Sequence, residues 1–131
     1  MTAPRRLLLD THALFWWLQG NERLSAPARE AIAMAPEVLV SAVTAWELAW
    51  KVRIGKFAEA APIVAALPSL LAQQGFGELD IGLRHALGAA QLAGDHRDPF
   101  DRLLAAQALA ECLPLVSCDA VFDGFGVRRV W

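Results

Sequence analysis

Short apolar segments alternate with longer segments of helical periodicity along the chain. Each short segment lacks the polar alternation of a sheet with one face in water, which predicts a strand buried on both faces. The predicted strands are 6–9, 38–41, 76–79, 114–117 and 128–131. The predicted helices are 11–19, 25–35, 44–54, 62–74, 82–93 and 99–112. Buried strands separated by helices predict an α/β fold, a three-layer α/β/α sandwich with a short, mainly parallel central sheet.

No internal repeat, low-complexity tract or linker divides the 131 residues, so we expect one domain over residues 1–131. Hydrophobic residues make up 56% of the chain, which excludes intrinsic disorder. Acidic residues such as Asp10 interrupt the apolar stretches well before the ~18–20 residues that cross a bilayer. The apolar run 7–9, after Arg5 and Arg6, is too short for the core of a signal peptide. These features predict a cytoplasmic protein without a membrane segment.

Charge and cysteine content argue against further classes of protein and of metal site. The net charge of −2 argues against a protein that coats nucleic acid through a basic surface, so any nucleic acid would be bound locally. Cys112 and Cys118 are the only cysteines, and no Cys/His spacing typical of a zinc site is present. We expect both to be reduced, buried thiols.

Two predicted strands lead into an aspartate. The segment LLLD places Asp10 at the carboxyl end of the first strand, and LVSCD places Asp119 just beyond the strand 114–117. Ligands of parallel α/β sheets bind outside the carboxyl ends of the strands, so both residues are expected at that edge. Each could also simply cap the helix or turn that follows, so neither decides the question alone.

Two further acids lie at the start of the helix 99–112, in the segment HRDPFDR. Asp98 before Pro99 is typical of an N-cap, and Asp101 then occupies the third helical position, as in a capping box. Side chains three residues apart share a helix face, and a helix N-terminus favours the ionised carboxylates that a hard divalent cation requires. We interpret Asp101 as a metal ligand and Asp98 mainly as the cap.

Glu47 lies inside the predicted helix 44–54, in the nearly apolar stretch AVTAWELAW. A residue in the middle of a helix is not a cap. An ion pair with Lys51, four residues on, is the alternative explanation, but such a pair contributes only ~0.2–0.5 kcal/mol. A partly buried carboxylate needs a stronger partner, which makes Glu47 the most informative of the acids.

Four segments carry a resemblance to a known family: LLLDTHALFWW, SAVTAWELAWK, HRDPFDRLLAAQA and LVSCDAVFDGFGV. In order and spacing they resemble the motifs of PIN-domain ribonucleases, most closely the VapC-type toxins of bacterial type II toxin–antitoxin pairs. The resemblance extends over nearly the whole chain and implies a PIN-like α/β/α fold. In that family an Asp, a Glu and two further Asp hold Mg²⁺ or Mn²⁺. The resemblance assigns these catalytic and metal-binding roles to Asp10, Glu47, Asp101 and Asp119.

The chemistry of phosphodiester hydrolysis agrees with such a cluster of acids. A divalent ion held by carboxylates can activate water and stabilise charge on the leaving oxygen. Mg²⁺ prefers carboxylate and water oxygens, so an open acidic site suits it better than a cage of histidines. Without the cation, we expect neighbouring carboxylates to repel each other by about 1–4 kcal/mol per pair and to be partly protonated.

Several polar residues near these acids have two possible roles. Thr11 and Ser117 could orient a carboxylate or a metal-bound water, or could make ordinary turn and cap hydrogen bonds. His12 could contact substrate, although a structural role is the alternative. Arg97 and Arg102 could bind the phosphates of a substrate, or could form ion pairs with the acids four residues away, Asp101 and Asp98.

Other candidates are expected to be structural. We interpret His96 as part of a solvated loop and Asp123 as a turn residue before Gly124. Four tryptophans lie at helical spacing among apolar residues, which favours the core or a subunit interface over base stacking. They are Trp16, Trp17, Trp46 and Trp50. The resemblance implies a homodimer, and also a cognate antitoxin protein that covers the side of the active site.

The leading hypothesis is therefore a metal-dependent endoribonuclease that is the toxin of a toxin–antitoxin pair, with RNA as its substrate. A PIN nuclease that acts in RNA processing or on DNA is the alternative among enzymes. A non-catalytic protein-binding module, in which the acids are caps and ion-pair partners, is the alternative outside enzymes.

Overall fold

A computed structural model describes residues 3–131, and its sheet follows the predicted apolar runs. The strands are β1 Arg6–Leu9, β2 Glu37–Ser41, β3 Gly77–Leu79, β4 Leu115–Val116 and β5 Arg129–Val130. Their order in the sheet is β3-β2-β1-β4-β5, and every neighbouring pair is parallel. The short parallel sheet is thus confirmed, with β1 at its centre.

Helices connect these strands. They are α1 Thr11–Gln19, α2 Ala26–Met34, α3 Ala42–Arg53, α4 Ala61–Ala65, α5 Leu67–Gln74, α6 Leu83–Gln91 and α7 Pro99–Ala110. Two short 3-10 helices, Ala58–Ala60 and Ala120–Phe125, lie where the pattern of apolar residues predicts neither helix nor strand. None of the helices within residues 3–131 is both long and apolar enough to cross a bilayer.

The central strand buries both of its faces, as its uninterrupted apolar sequence predicts. Leu7 and Leu9 point to one side, where they pack in a core cluster with α1, α2 and α3. Leu8 points to the other side and belongs to a second cluster that includes Leu104 of α7. All three leucines of β1 are fully buried. The alternation of side chains along a strand therefore produces the three layers of the fold.

The prediction of one helix over 62–74 is wrong, because this segment contains the end of α4 and the whole of α5. Pro68 lies in the first turn of α5. A proline has no N–H to donate to the carbonyl four residues earlier, and its ring clashes there, so a helix restarts at a proline more easily than it continues through one.

The prediction of buried thiols is also wrong, because both Cys112 and Cys118 are exposed. Cys112 lies in the turn after α7 and has a φ of 54°. Cys118 lies in the loop after β4, at the wall of the cavity described below. Each cysteine follows the end of a buried element. The apolar residues next to it therefore suggested, wrongly, that the cysteine is buried as well.

A core position is likewise wrong for Trp46 and Trp50, whose exposed fractions are 54% and 46%. The two residues lie one helical turn apart on α3, while the adjacent Glu47 and Leu48 are buried. Since α3 is apolar on both faces, its periodicity does not show which face packs inward. A subunit interface remains a prediction for the exposed face.

Candidate active site at the carboxyl edge of the sheet

The two aspartates that follow strands lie at the same edge of the sheet. β1 and β4 are parallel neighbours, with Leu9 opposite Val116, and Asp10 and Asp119 follow these strands. The backbone N–H of Asp10 donates to the carbonyl of Val116 over 3.1 Å, which ties the end of β1 to β4. Parallel pairing therefore places Asp10 and Asp119 on one side of the molecule.

A cavity of about 380 Å³ opens at this edge. Five carboxylates line it, those of Asp10, Glu47, Asp98, Asp101 and Asp119. The structure thus brings together all four acids that the sequence motifs single out, from β1, α3, α7 and the loop after β4. Thr11, His12 and Lys51 also line the cavity.

Asp10 is buried, with an exposed fraction of 8%. Its Oδ1 accepts a hydrogen bond of 2.8 Å from the N–H of Ala13, so the residue is also the N-cap of α1. Burial raises its pKa to about 6, and the negative charges of Glu47 and Asp101 act in the same direction. Hydrogen bonds from the Ser117 hydroxyl and from Ala13 partly oppose this rise in pKa. The cap role and the site role of Asp10 are therefore compatible.

Glu47 is buried and has two hydrogen-bond donors. The hydroxyl Oγ1 of Thr11 donates to Oε1 over 2.5 Å, and the Nζ of Lys51 donates to Oε2 over 2.7 Å. The ion pair with Lys51, the alternative explanation of Glu47, is thus present. This ion pair is not the only contact of Glu47, since Thr11 donates to the other oxygen. Glu47 also shares the wall of the cavity with four further acids.

Asp98 is the N-cap of α7, as expected, whereas the side chain of Asp101 has a different partner. Oδ1 of Asp98 accepts from the N–H groups of Phe100 and Asp101, over 2.9 and 3.2 Å, which makes Asp98 the N-cap. Oδ2 of Asp101 instead lies 2.8 Å from Nε2 of His96. The interpretation of His96 as a solvated loop residue is therefore wrong, because the loop before α7 folds back so that His96 contacts Asp101.

The pKa of Asp101 is raised, mainly because its carboxylate is partly buried. The hydrogen bond from His96 opposes this rise, whereas the charges of Asp98 and Glu47 add to it. Raised pKa values at Asp10 and Asp101 agree with the expected partial protonation of the cluster when no cation is bound.

Ser117 connects two of the acids. Its side chain is completely buried, its Oγ accepts a hydrogen bond of 3.0 Å from the N–H of Asp119, and its hydroxyl bonds to Asp10. Asp119 in turn caps the 3-10 helix Ala120–Phe125, accepting from the N–H of Val121 over 3.0 Å. One serine hydroxyl therefore sets the relative positions of Asp10 and Asp119.

Arg102 does not form the ion pair with Asp98 that their spacing of four residues suggests. Its guanidinium donates to the carbonyl oxygens of Ala89, Leu92 and His96, over 3.0, 2.5 and 3.1 Å, and lies 5.7 Å from the centre of the Phe125 ring. Carbonyl oxygens and not Asp98 are thus the partners of Arg102 within residues 3–131, and its contact with substrate phosphates stays a prediction. Arg102 instead holds the loop between α6 and α7.

Arg97 is exposed beside this loop, and no side chain among residues 3–131 forms an ion pair with it. It lines an open cavity together with His96 and Arg102, and not the acidic cavity itself. Pairing with Asp101 is thus excluded, and contact with substrate phosphates stays a prediction.

His12 and Asp123 complete the set of candidates. The exposed His12 packs its ring on Phe57 and Trp16, and the partial burial lowers its pKa. Asp123 lies outside the cavity, where both of its oxygens accept from the guanidinium of Arg129. That ion pair lowers the pKa of Asp123. Asp123 was predicted in a turn, and it lies in the short 3-10 helix that follows Asp119.

The donor chemistry of the acidic cavity fits a hard divalent cation, since carboxylate oxygens dominate its polar wall. In the described part of the chain, no three Asp, Glu, His or Cys side chains are already arranged to hold one ion together. Each of the four acids has an oxygen directed to a protein donor instead. Mg²⁺ retains several waters and needs only one or two direct carboxylates, so rotation of these side chains and bridging waters are compatible with binding.

Comparison with known proteins decides the family. The PIN domain family matches residues 7–127. The chain belongs to the PIN domain family. The sequence is 35% identical over 118 residues to Ribonuclease VapC22 of Mycobacterium tuberculosis, covering 86% of each chain.

Solved structures share the PIN fold. VapBC2 from Rickettsia felis, bound to a promoter DNA fragment, has a TM-score of 0.69 at 18% identity and covers 96% of this chain and 99% of that one. FitAcB from Neisseria gonorrhoeae has a TM-score of 0.65 at 20% identity and covers 94% and 95%. The PIN-like α/β/α fold expected from the sequence motifs is thus confirmed.

Within this PIN domain, the sequence does not reveal the positioning contact of His96. The bond from His96 to Asp101 depends on a loop path that no periodicity describes. Lys51 was recognised only as a partner of Glu47, although it also lines the acidic cavity. The position of Lys51 four residues after the buried Glu47 is the sequence feature that could have indicated this place in the cavity wall.

Proposed function

We propose that this PIN domain is a divalent-metal-dependent endoribonuclease and the toxin of a type II toxin–antitoxin pair. The observation that carries the proposal is that Asp10, Glu47, Asp101 and Asp119 line a single cavity at the carboxyl edge of the sheet. The 35% identity to a protein named Ribonuclease VapC22 supports the same activity.

We assign Asp10, Glu47, Asp101 and Asp119 to the binding of Mg²⁺ or Mn²⁺. When bound there, the ion would lower the pKa of a water molecule and place positive charge beside the phosphate oxygens. In the reaction, a bond forms from a water oxygen to phosphorus, and the bond from phosphorus to one ribose oxygen breaks. The leaving ribose oxygen takes up a proton.

The protein's own contribution is to hold the acids in position. Thr11 and Lys51 orient Glu47, His96 orients Asp101, and Ser117 with the N–H of Ala13 orients Asp10. Donors to a carboxylate favour its ionised form, which is the form that binds a cation. The positive charge of Lys51 also lowers the repulsion between the acidic wall and an anionic RNA backbone.

A cleavage assay on mixed RNA in the presence of Mn²⁺ tests the proposal. Wild type is compared with Asp10→Asn and Glu47→Gln, which keep the size of the side chain but remove its charge. Asp123→Asn is the matched control, since Asp123 is an acid outside the cavity. We expect cleavage by wild type and the control and a loss of at least about 10²-fold in the other two, as for removal of a transition-state interaction.

Other outcomes of this assay identify the alternatives. Cleavage that survives both substitutions contradicts the assigned site. Cleavage of DNA in preference to RNA favours a PIN nuclease with a different substrate. Folded wild type that cleaves neither favours a protein-binding module.

We further propose that a homodimer and a cognate antitoxin cover the exposed apolar surface of the chain. Trp46 and Trp50 of α3, and Leu83 and Leu87 of α6, are exposed large hydrophobic residues one helical turn apart. Solved structures with this fold include toxin–antitoxin complexes. Sedimentation equilibrium of the purified chain tests the dimer: a monomer at micromolar concentration contradicts it.

A further inference from the structure

A second cavity, of about 160 Å³, adjoins the acidic cavity, and His12 and Trp16 line both. The rest of its wall consists of Phe15, Arg23, Lys56, Phe57 and Glu59. The two cavities differ in chemistry, because carboxylates dominate the first, whereas aromatic rings and two cations dominate the second. A ligand that extends from one into the other would therefore meet two different environments.

Aromatic packing holds the ring of His12 at the boundary between the cavities. The ring stacks on Phe57 with a centroid distance of 5.6 Å and an interplanar angle of 26°, and lies 5.3 Å from the ring of Trp16. Phe57 is buried and is itself held by an edge-on contact of 4.6 Å with Phe15. His12 as a residue remains exposed. The protein thus supports an accessible aromatic surface beside the acidic cavity.

The second cavity also carries positive charge. Arg23 and Lys56 are exposed, and neither forms an ion pair with any residue from 3 to 131. Glu59 is the one acid in its wall. Cations of this kind, next to stacking surfaces, are typical of proteins that bind single-stranded nucleic acid.

We propose that the second cavity binds an unpaired nucleobase of the RNA, adjacent to the phosphodiester that is cleaved. His12 and Trp16 stack against the base, and Arg23 and Lys56 bind the phosphate that follows. A base can enter such a cavity only when it is free of its duplex partner, so the enzyme prefers single-stranded RNA. The inference rests on the proposed ribonuclease function and adds to it the cavity that binds one base of the substrate.

Abasic substitution tests the stacking step directly. The cleavage position is first mapped on mixed-sequence RNA, and a short single-stranded RNA around it is then synthesised with an abasic ribose at each position in turn. Loss of one stacked base weakens binding by about 5- to 150-fold. We expect kcat/KM of the wild type to fall by about fivefold or more at one position next to the cut, and little elsewhere.

Variants of His12 test whether the loss of kcat/KM on abasic RNA arises from the second cavity. His12→Ala is expected to cleave the intact RNA about as slowly as wild type cleaves the abasic RNA, and to show no further loss on the abasic RNA. His12→Phe keeps a ring that can stack, but has no ring nitrogen. It is therefore expected to restore most of the activity, which a role of His12 in hydrogen bonding or proton transfer does not predict.

Lys56→Ala provides an independent test that does not depend on His12. Its matched control is Arg53→Ala, which removes one exposed positive charge nearby on α3, outside both cavities. Removing one phosphate contact is expected to raise KM for RNA and to reduce the dependence of log KM on log salt by about one unit of slope. Arg53→Ala is expected to leave that slope close to wild type.

The outcomes distinguish a failure of the base-binding cavity from a failure of the proposed ribonuclease function. If the wild type cleaves RNA but tolerates an abasic ribose at every position, or if His12→Ala stays sensitive to it, the base-binding cavity is overturned and the nuclease stands. If duplex RNA is cleaved as fast as single-stranded RNA, the inference is also overturned. If the wild type cleaves no RNA, the proposed function itself fails.

Discussion

The hydroxyl of Thr11 donates a hydrogen bond of 2.5 Å to Oε1 of Glu47. Thr11 is the first residue of α1, directly after Asp10, and Glu47 lies in the middle of α3. Because Thr11 directly follows Asp10, this bond fixes the position of Glu47 relative to Asp10. Thr11 and Glu47 are 36 residues apart in sequence. Both side chains are buried.

Thr11→Val tests this bond, because it removes the hydroxyl and nearly keeps the shape. One oxygen of Glu47 would then be buried without its donor, which costs about 1–3 kcal/mol. Urea denaturation should show a decrease of this size in the free energy of unfolding, while Thr11→Ser, which retains a hydroxyl, should lose less. Equal stability of Thr11→Val and wild type would show that the bond contributes nothing.

The raised pKa of Asp10 predicts how stability depends on pH when divalent ions are removed by EDTA. The carboxyl has a pKa of about 6 in the folded protein against an ordinary aspartate value of 3.8, so the folded state binds its proton more tightly than the unfolded state does. Stability should therefore fall as pH rises from about 4 to above 6, by up to about 3 kcal/mol from this residue. The raised pKa of Asp101 acts in the same direction, whereas the lowered pKa values of His12 and Asp123 act in the opposite direction, so the comparison with Asp10→Asn isolates the effect of Asp10.

Denaturation midpoints at several pH values measure this fall. Asp10→Asn cannot ionise, so it should lose stability less steeply between pH 4 and pH 6.5 than wild type does. Saturating Mn²⁺ should also flatten the wild-type profile, because the ion binds the ionised carboxylates. A wild-type profile in EDTA that rises over this range would contradict the assigned burial of Asp10.

Arg102→Lys distinguishes a structural arginine from one that binds phosphate. A lysine keeps the positive charge but not the planar fork that reaches three carbonyl oxygens at once. We expect a loss of at least about 2 kcal/mol of stability and faster amide exchange in residues 92–97, for both Arg102→Lys and Arg102→Ala. Hydrogen exchange measured by mass spectrometry gives the loop readout. Normal protection of the loop in Arg102→Lys would favour the phosphate role instead.

The sheet and the position of the acids were predictable because one physical rule governs each. Uninterrupted apolar runs need cover on both faces, which gives helices on both sides of β1 and parallel pairing with its neighbours. Parallel pairing in turn places Asp10 and Asp119 at a common edge. The helix start at Asp98 was equally predictable, since a cap residue followed by proline is a local signal.

Features that depend on how loops fold back were not predictable. Arg102 is four residues from Asp98, and that spacing suggested an ion pair, but the carbonyl oxygens of the loop before α7 provide its partners. His96 meets Asp101 for the same reason. In α3 the periodicity does not show which face packs inward, so the sequence could not decide between the core and a subunit interface for Trp46, which is exposed.

Carboxylates from four separate segments line a single cavity, where we propose that they bind one kind of ion. Titration of Mn²⁺ followed by electron paramagnetic resonance, which detects the free ion, measures that binding directly. Wild type and Asp123→Asn should bind Mn²⁺ with the same Kd, while Asp10→Asn, Glu47→Gln, Asp101→Asn and Asp119→Asn should each raise the Kd about tenfold or more. Mn²⁺ binding that is absent in wild type, or unchanged in all four variants, would contradict the assignment of these four acids to metal binding.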